Sequence, residues 1–213
     1  MDSLNTDDLK KIFTKIKNIM VEMENYLFDL DSKMGDGDLG LIMKNGFIEV
    51  DEAVRNSGEE DIGKLFIKAG MTLASSVPST MGTLMATGLM RAGKEVMGKS
   101  EISLADFSLI FSVFVNGIME RGKSKPGEKT IIDSMLPAAD ALKKAKEDGE
   151  NLIQAFNLAY RAAKEGLEST KNMTSVHGKA VYHSERSKGT EDPGAAAGVL
   201  LLKGFVEYLN ISD

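Results

Sequence analysis

The sequence predicts an all-α protein, and three observations lead to that class. Apolar residues recur at the i, i+3, i+4, i+7 spacing of a helix through nearly the whole chain. No convincing stretch shows the strict alternation of a half-buried strand. Among the 213 residues there are 21 glycines and only 4 prolines, which favours helices that end at glycine over a proline-punctuated all-β chain.

Eight helices are predicted in order along the chain. The first follows the apolar residues from Leu9 to Leu30, and the cap-competent and acidic residues 6–8 precede it, where the helix dipole favours them. The next six have these expected ranges and ends: 41–54 before Asn56-Ser57-Gly58, 62–77 before Pro78, 82–97 before Gly98, 104–119 before Arg121-Gly122, 131–142 before Asp148-Gly149, and 152–167.

The eighth helix has the strongest start signal in the chain. Asp192 can serve as its N-cap, and Pro193 then occupies the first helical position, where a missing N–H breaks no helical bond. Apolar residues continue the helical pattern as far as Leu209. Because no break in composition and no internal repeat is visible, we expect residues 1–213 to form a single domain.

Charge and composition exclude several classes of protein. The net charge of -6 disfavours a surface for nucleic acid or anionic membrane, and the absence of cysteine excludes disulfides, Cys-ligated metals and cysteine nucleophiles. No apolar run approaches the roughly 18 residues that span a bilayer. The acidic, polar residues 1–11 lack the pattern of a signal peptide. We therefore expect a cytoplasmic protein that binds neither nucleic acid nor membrane.

Three segments do not follow the helical pattern, namely residues 31–40, 121–130 and 177–194. Long irregular connections in compact helical domains tend to be functional or disordered. All three carry charged residues interleaved with glycine. These segments are therefore the places in which a ligand site is expected.

The first segment carries three carboxylates within eight residues, Asp31, Asp36 and Asp38. Carboxylates crowded on one turn repel each other unless a cation neutralises them. An EF-hand is excluded, because the position that requires Glu holds Ile42 or Phe47. Mg²⁺ suits the segment better, since it takes few carboxylates and leaves positions for water and phosphate oxygens. The alternative is a solvated acidic turn with Asp38 as the N-cap of the second helix.

The other two segments are basic and lead into helix N-termini. The second carries four cations, Lys129 among them, and the third carries Lys179 before the Asp192-Pro193-Gly194 turn. Basic side chains at a helix N-terminus favour an anion, although either segment alone could be a solvated connection. His177 and His183 could form a metal pair or simply lie exposed. The three segments together predict a phosphate or nucleotide ligand bound with Mg²⁺.

Six motifs carry a resemblance to a known family. They are Asp31-x4-Asp36-Gly-Asp38-x-Gly40, Asn45-Gly-Phe47, Ser75-Ser-Val77, Pro126-Gly-Glu-Lys-Thr130 with Asp133, Glu185-Arg-Ser187 with Gly189, and Asp192-Pro-Gly194. In this order they resemble the nucleotide-binding L subunit of dihydroxyacetone (glycerone) kinase. The resemblance extends from about residue 7 to about residue 206. Each motif alone is weak, whereas their combination is highly specific.

The resemblance implies a closed up-and-down barrel of eight antiparallel helices with the nucleotide at one end. It implies that Asp31, Asp36 and Asp38 hold two Mg²⁺ ions that bridge the nucleotide phosphates. It also implies a set of residues that line the nucleotide: Leu39, Gly40, Leu41, Ile42, Met81, Gly82, Gly122, Ile131, Lys179, Asp192, Pro193 and Gly194. No catalytic residue is expected on this chain, because metal and positioning would carry the catalysis.

The same resemblance implies two partner subunits. A K subunit would hold dihydroxyacetone covalently on its own histidine, and a phosphohistidine M subunit would rephosphorylate bound ADP from phosphoenolpyruvate. The length leaves room only for an L subunit, which is typical of the phosphoenolpyruvate-dependent phosphotransferase type. The alternatives are an ATP-dependent L-type subunit for another small ketose, and a non-catalytic nucleotide sensor that binds a transcriptional activator. The nucleotide domain of fatty-acid kinases is disfavoured, because those chains are much longer.

Three positions depart from the family pattern. The family has His where this chain has Leu39, a Gly-Gly-Ala-Ser-Gly-like stretch where it has residues 78–82, and Arg where it has Lys179. Each change removes a polar contact to phosphate or base, and Lys lacks the bidentate fork of Arg. We therefore expect looser nucleotide retention, or a ketose other than dihydroxyacetone. The three-Asp motif is intact.

Overall fold

The computed structural model describes residues 2–178 and 187–211. Over these residues the predicted helical class is confirmed. The elements, in chain order, are β1 (Ser3–Asn5), α1 (Thr6–Glu22), α2 (Glu24–Asp31), α3 (Leu39–Arg55), α4 (Ile62–Ser76), α5 (Thr80–Glu95), β2 (Glu101–Ser103), α6 (Leu104–Gly122), α7 (Ile132–Glu147), α8 (Leu152–Ser169), a single 3₁₀ turn (Thr170–Asn172) and α9 (Pro193–Ile211).

Two features differ from the sequence prediction. The first predicted helix is two helices, because the chain breaks at Met23, whose φ and ψ are -95° and 12°. The prediction of no strand is also wrong, since β1 pairs antiparallel with β2 and places Leu4 opposite Ile102. Both of these side chains are buried, so the short ladder closes an edge of the core. Three-residue strands are too short to show an alternating pattern.

The helices pack mainly against their neighbours along the chain. Each helix from α3 to α8 contacts the next, while α9 contacts α8 and α1, and α1 contacts α3. One apolar cluster includes side chains from all nine described helices. It encloses an apolar cavity of about 50 Å³ whose lining includes Phe13, Phe47 and Phe111. No helix of the described residues is long and apolar enough to cross a bilayer.

Side-chain caps fix where several helices begin. Asn5 accepts from the backbone N–H of Asp8, whose carboxylate accepts in return from Asn5 N, and α8 begins with the same type of capping box at Asn151. At α9 the predicted cap is confirmed, because Asp192 Oδ1 accepts from Ala195 N at 2.6 Å and Pro193 is the first helical residue.

Four connections matter for the candidate site: α2–α3, α4–α5, α6–α7 and α8–α9. The first and last meet where Thr190 Oγ1 lies 3.5 Å from Met34 Sδ. The third and last meet where Lys129 Nζ lies 2.6 Å from the carbonyl oxygen of Ser187. The start of α5 reaches α9 through Met81, whose Cε would lie 2.9 Å from a Cβ on Gly194. The predicted loop segments therefore converge on one region.

Candidate functional site

The acidic loop, residues 31–38, gathers three carboxylates at the end of α2. One carboxylate oxygen from each of Asp31, Asp36 and Asp38 lies within 4.8 Å of the others. A tight turn produces this arrangement: Gly35 N donates to the carbonyl oxygen of Asp31 at 2.5 Å, and Gly37 has a φ of 73°, which glycine adopts without strain. Hard oxygen ligands at this spacing suit a divalent cation such as Mg²⁺.

The start of α3 joins this loop to the core. Leu39 N donates to Asp31 Oδ2 at 3.1 Å, whereas the Leu39 side chain is buried in the apolar core. A Cβ on Gly40 would lie 2.2 Å from the carbonyl oxygen of Glu24, so glycine allows α3 to approach α2. Leu41 is 52% exposed and Ile42 packs partly against the core. Of the four predicted lining residues, Leu41 is thus the most open to solvent.

A second group of predicted residues meets at the N-terminus of α9. A Cβ on Gly194 would lie 2.9 Å from Met81 Cε, 3.1 Å from Asp192 Oδ1 and 3.3 Å from Ile131 N. The absence of a side chain at Gly194 therefore keeps these groups close together. Pro193 begins α9 beside them. Residues from three separate parts of the chain are brought to one place.

The two remaining predicted glycines lie along α5 and α6. Gly82 is buried, its N–H donates to Ser79 Oγ at 3.0 Å, and a Cβ there would lie 2.4 Å from the carbonyl oxygen of Val77. Gly122 faces Leu84, whose Cδ2 would lie 3.2 Å from a Cβ on it. Leu84 is one helical turn after Met81, so Gly122 neighbours the Met81 group. Lys179 lies outside the described residues, as do His183, Glu185 and Arg186.

Asp192 is a buried carboxylate that caps α9. It is 8% exposed, and its N–H donates to Thr170 Oγ1 at 2.9 Å. Burial raises the pKa of Asp192 to about 7, and the negative charge of Asp133 adds to this rise. The Ala195 N–H bond and the positive charge of Lys129 act in the opposite direction. A carboxyl group at the α9 turn therefore titrates near neutral pH.

Lys129 differs from what the basic segment predicts. Its side chain is 3% exposed, and Nζ donates to the carbonyl oxygens of Thr170, Ser187 and Thr190 at 2.7, 2.6 and 2.7 Å. The carbonyl oxygen of Met173 lies farther away, at 3.4 Å. Burial lowers the pKa of this ammonium, while the charge of Asp192 acts in the opposite direction. Lys129 is therefore occupied by the protein's own backbone and is not exposed to a phosphate.

The rest of the α6–α7 loop, residues 123–131, is also held from within. Asp133 accepts from Gly127 N at 2.5 Å and from Thr130 N at 2.7 Å. Two N–H groups that the sequence offered to a phosphate are thus bound to a carboxylate. Lys123 and Lys125 remain exposed. Lys129 and the N–H groups of Gly127 and Thr130 are therefore bound within the protein and not available to an anion.

His177 contacts this loop. Its Nε2 lies 2.6 Å from Glu128 Oε2, an oxygen that also accepts from Lys125 N. The hydrogen bond with His177 lowers the pKa of Glu128. The proposed His177–His183 pair cannot be described, since His183 lies outside the described residues.

Contacts that the sequence did not reveal join α2 and the acidic loop to the segment before α9. Tyr26 Oη donates to Glu191 Oε2 at 2.7 Å, and Lys171 Nζ lies 3.3 Å from Glu191 Oε1. Burial and the charge of Glu191 raise the pKa of Tyr26. Together with the Thr190–Met34 contact, the Tyr26–Glu191 bond holds α2 and the acidic loop against the segment before α9. No spacing rule predicts them, because the partners are far apart in sequence.

Comparisons with known proteins identify the family of this chain. A model of the DAK2 domain matches residues 33–207. The chain is 32% identical over 201 residues to the ADP-binding subunit DhaL of the PEP-dependent dihydroxyacetone kinase of Escherichia coli K12, covering 94% of this chain and 96% of that protein. It is 30% identical to the L-erythrulose 1-kinase of Mycolicibacterium smegmatis, covering 93% of this chain but 35% of that protein.

A solved structure shares the fold. The dihydroxyacetone kinase from C. freundii in complex with AMP-PNP and Mg²⁺ aligns with a TM-score of 0.73 at 23% identity. The alignment covers 97% of this chain and 34% of that one. The similarity therefore concerns one part of a longer kinase chain.

Proposed function

Since the chain belongs to the DAK2 domain family, we propose that it is the nucleotide-binding subunit of a dihydroxyacetone kinase. It passes a phosphoryl group from Mg-bound nucleotide to dihydroxyacetone held on a separate K subunit. The observation that carries this proposal is the convergence of Asp31, Asp36 and Asp38 to within 4.8 Å of one another. The nearly full-length match to a protein named as an ADP-binding subunit supports it.

In this proposal the acidic loop holds the metal. Asp31, Asp36 and Asp38 bind two Mg²⁺ ions, which neutralise phosphate charge and orient the transferred group. The Leu39 N–H bond to Asp31 fixes one carboxylate, so that the loop is set before the nucleotide arrives. Ordering the ligands in advance lowers the conformational entropy that binding would otherwise lose.

The nucleotide lies between the acidic loop and the α9 turn. Residues 39–42, Met81, Gly82, Gly122 and Ile131 line it, with Lys179 and the Asp192–Gly194 turn. The N-terminus of α9 favours negative charge close to the turn. The helix neighbours support a closed barrel of eight antiparallel helices within one domain, residues 1–213, because α9 contacts both α8 and α1. The convergence of the four connections supports a nucleotide site at one end of this barrel.

No general base on this chain is needed. This chain positions the nucleotide and neutralises its phosphate charge through the bound metal. The K subunit carries the sugar, and a phosphohistidine M subunit rephosphorylates ADP from phosphoenolpyruvate. The acceptor must reach the acidic loop from outside the chain. Phe28 and Leu41, 49% and 52% exposed, lie next to that loop and give it an apolar border for such a partner.

One observation favours a second substrate. The similarity to a protein named L-erythrulose 1-kinase, together with Leu39, supports a chain that serves another small ketose with ATP as donor. A non-catalytic sensor that binds nucleotide and a transcriptional activator is the remaining alternative. Both would require the same acidic loop, so the choice depends on turnover.

Native mass spectrometry of the purified chain, with chromatography of the acid-released nucleotide, tests the proposal. Retained ADP with two Mg²⁺ is the expected result for the phosphoenolpyruvate-driven type. Phosphoryl transfer to dihydroxyacetone or erythrulose in the presence of a purified K subunit then identifies the sugar. A chain that binds no nucleotide with Mg²⁺ would contradict the proposal, and binding without turnover would favour the sensor.

A further inference from the structure

We propose that Lys129 is the positioning residue for the nucleotide: its buried ammonium holds the segment before α9 and thereby sets the α9 turn. This inference rests on the proposed function and adds a residue that contacts no ligand itself. The sequence places Lys129 in a basic loop and predicts that it contacts phosphate. In the structure its ammonium contacts backbone carbonyl oxygens instead.

The ammonium is enclosed by backbone carbonyl oxygens from two segments. Thr170 and Met173 follow α8, whereas Ser187 and Thr190 precede α9. An ammonium has three donors, and the three shortest distances, 2.6 to 2.7 Å, account for all of them. Lys129 thus joins the ends of the α8–α9 connection to the α6–α7 loop.

The backbone of Lys129 indicates that this position is constrained. Its φ is 58°, in the left-handed region that side chains other than Gly, Asn and Asp seldom adopt. A glycine would adopt this conformation more readily. Lys123 has a similar φ of 53° but an exposed side chain, so the carbonyl enclosure is the feature that distinguishes Lys129.

Two series of contacts connect the ammonium to the proposed nucleotide site. Thr170 receives the ammonium at its carbonyl oxygen and accepts from Asp192 N at its hydroxyl, at 2.9 Å. Along the chain, Ile131 is two residues after Lys129, and its N would lie 3.3 Å from a Cβ on Gly194. The position of the α9 turn therefore depends on Lys129 in two ways, through Thr170 and through Ile131.

The test compares Lys129→Gly with Lys123→Gly in the full-length chain. Both lysines lie in the same loop with positive φ, 58° and 53°, but Lys123 is exposed. Mg–ADP affinity should fall about 10- to 100-fold in Lys129→Gly, since bonds to a charged group are lost, and under about threefold in Lys123→Gly. Mn²⁺ affinity without nucleotide should be retained in both, because the acidic loop lies outside the enclosure.

Chemical rescue separates positioning from a general loss of structure. n-Butylammonium replaces the atoms that Lys129→Gly removes, so it should restore Mg–ADP affinity. Tetramethylammonium carries the same charge but has no N–H, and it should not. Full Mg–ADP affinity in Lys129→Gly would overturn the inference, as would equal rescue by both cations.

A second pair keeps the test decisive if Lys129→Gly does not fold. Thr170→Val removes the hydroxyl that accepts from Asp192 N, and Thr170→Ser keeps it. Mg–ADP binding should weaken about 3- to 10-fold in the first and remain in the second. Equal affinities would overturn the inference. A parent chain that binds no Mg–ADP would overturn the proposed function as well, whereas normal parent binding confines any failure to this inference.

Discussion

The two halves of the candidate site use charge in opposite ways. In the acidic loop, Asp36 and Asp38 are exposed and the turn holds three like charges together. At the α9 turn, Lys129 and Asp192 are buried and bonded to the protein's own backbone. Like charges crowded at a surface favour the binding of a cation, whereas buried charges bonded to the backbone stabilise the fold. Charge alone therefore does not distinguish a ligand contact from a structural support.

The largest expected effect concerns the exposed half. Asp36→Asn should weaken Mg²⁺-dependent ADP binding by more than about 100-fold, because a charged metal ligand is lost. The fold should be kept, with slightly higher stability, since repulsion between carboxylates is relieved. Isothermal titration with and without Mg²⁺, together with thermal unfolding, measures both quantities.

Asp29→Asn is the matched control for this substitution. Asp29 is an exposed acidic residue on α2, close in sequence to the loop. Its ADP affinity should equal that of the parent chain. If Asp36→Asn binds ADP and Mg²⁺ normally, the acidic loop is a solvated turn and the contrast between the halves disappears.

The buried half should respond to pH. Between pH 3.8 and about 7 the folded chain keeps a proton on Asp192 that the unfolded chain releases. The free energy of unfolding therefore falls as pH rises through this window and levels off above it. Asp192→Asn still caps α9 but does not titrate, so about 2 kcal/mol of that fall between about pH 5 and 7 should vanish.

Denaturant unfolding at a series of pH values measures this slope. Asp140→Asn, at an exposed position on α7, is the control and should keep the slope of the parent chain. If the unfolding free energy of Asp192→Asn changes with pH as it does in the parent chain, Asp192 does not hold a proton in this pH range. The contrast between the two halves is then smaller.

A smaller effect should follow from filling the space at the α9 turn. Gly194→Ala places a methyl 2.9 Å from Met81 Cε and 3.3 Å from Ile131 N. These groups must move apart, and ADP affinity should fall roughly tenfold. Gly204→Ala is the control on the same helix, because its Cβ would lie 2.4 Å from Ile16 Cγ1, away from the site. It should lower the unfolding free energy by about 1–3 kcal/mol and leave ADP affinity intact.

The smallest expected effect concerns the link between the halves. Tyr26→Phe removes the hydrogen bond to Glu191 and should lower the unfolding free energy by about 1 kcal/mol. Glu191 keeps Lys171 as a partner, so ADP affinity should change less than about threefold. A double-mutant cycle with Glu191→Ala, which removes the acceptor, measures the coupling, and strictly additive effects would show that this bond does not join the two halves.

Much of the fold could be predicted because a helix has a recognisable pattern in its own local sequence. The predicted helices lie close to the observed ones. They were identified from long periodic segments and from end signals such as Pro78 and the Asp192-Pro193 start. The break at Met23 could not be predicted, since no glycine or proline marks it. The β1–β2 pairing was missed because it joins two three-residue segments far apart in the chain.

For the site, the acidic loop was predictable in a way that the α9 turn was not. Three carboxylates close in sequence must be close in space, so Asp31, Asp36 and Asp38 were readily identified. The contacts of the Lys129 ammonium could not be predicted, because the carbonyl oxygens that it binds lie at least 41 residues away along the chain. A local pattern reports only that a cation is present, and tertiary structure decides what it contacts.

The contact between α1 and α9 has a consequence for biosynthesis. The Tyr208 hydroxyl donates to Asp8, 200 residues earlier, so the apolar face of α1 acquires α9 as a partner only after the intervening residues are made. At about 5–20 residues per second, α1 waits roughly 10–40 seconds for α9 to leave the ribosome. Neighbouring helix pairs such as α4–α5 form from local contacts meanwhile, because short loops close at little entropic cost. During that interval α1 can pack against α3 but not against α9, so part of its apolar face stays exposed until α9 has been made.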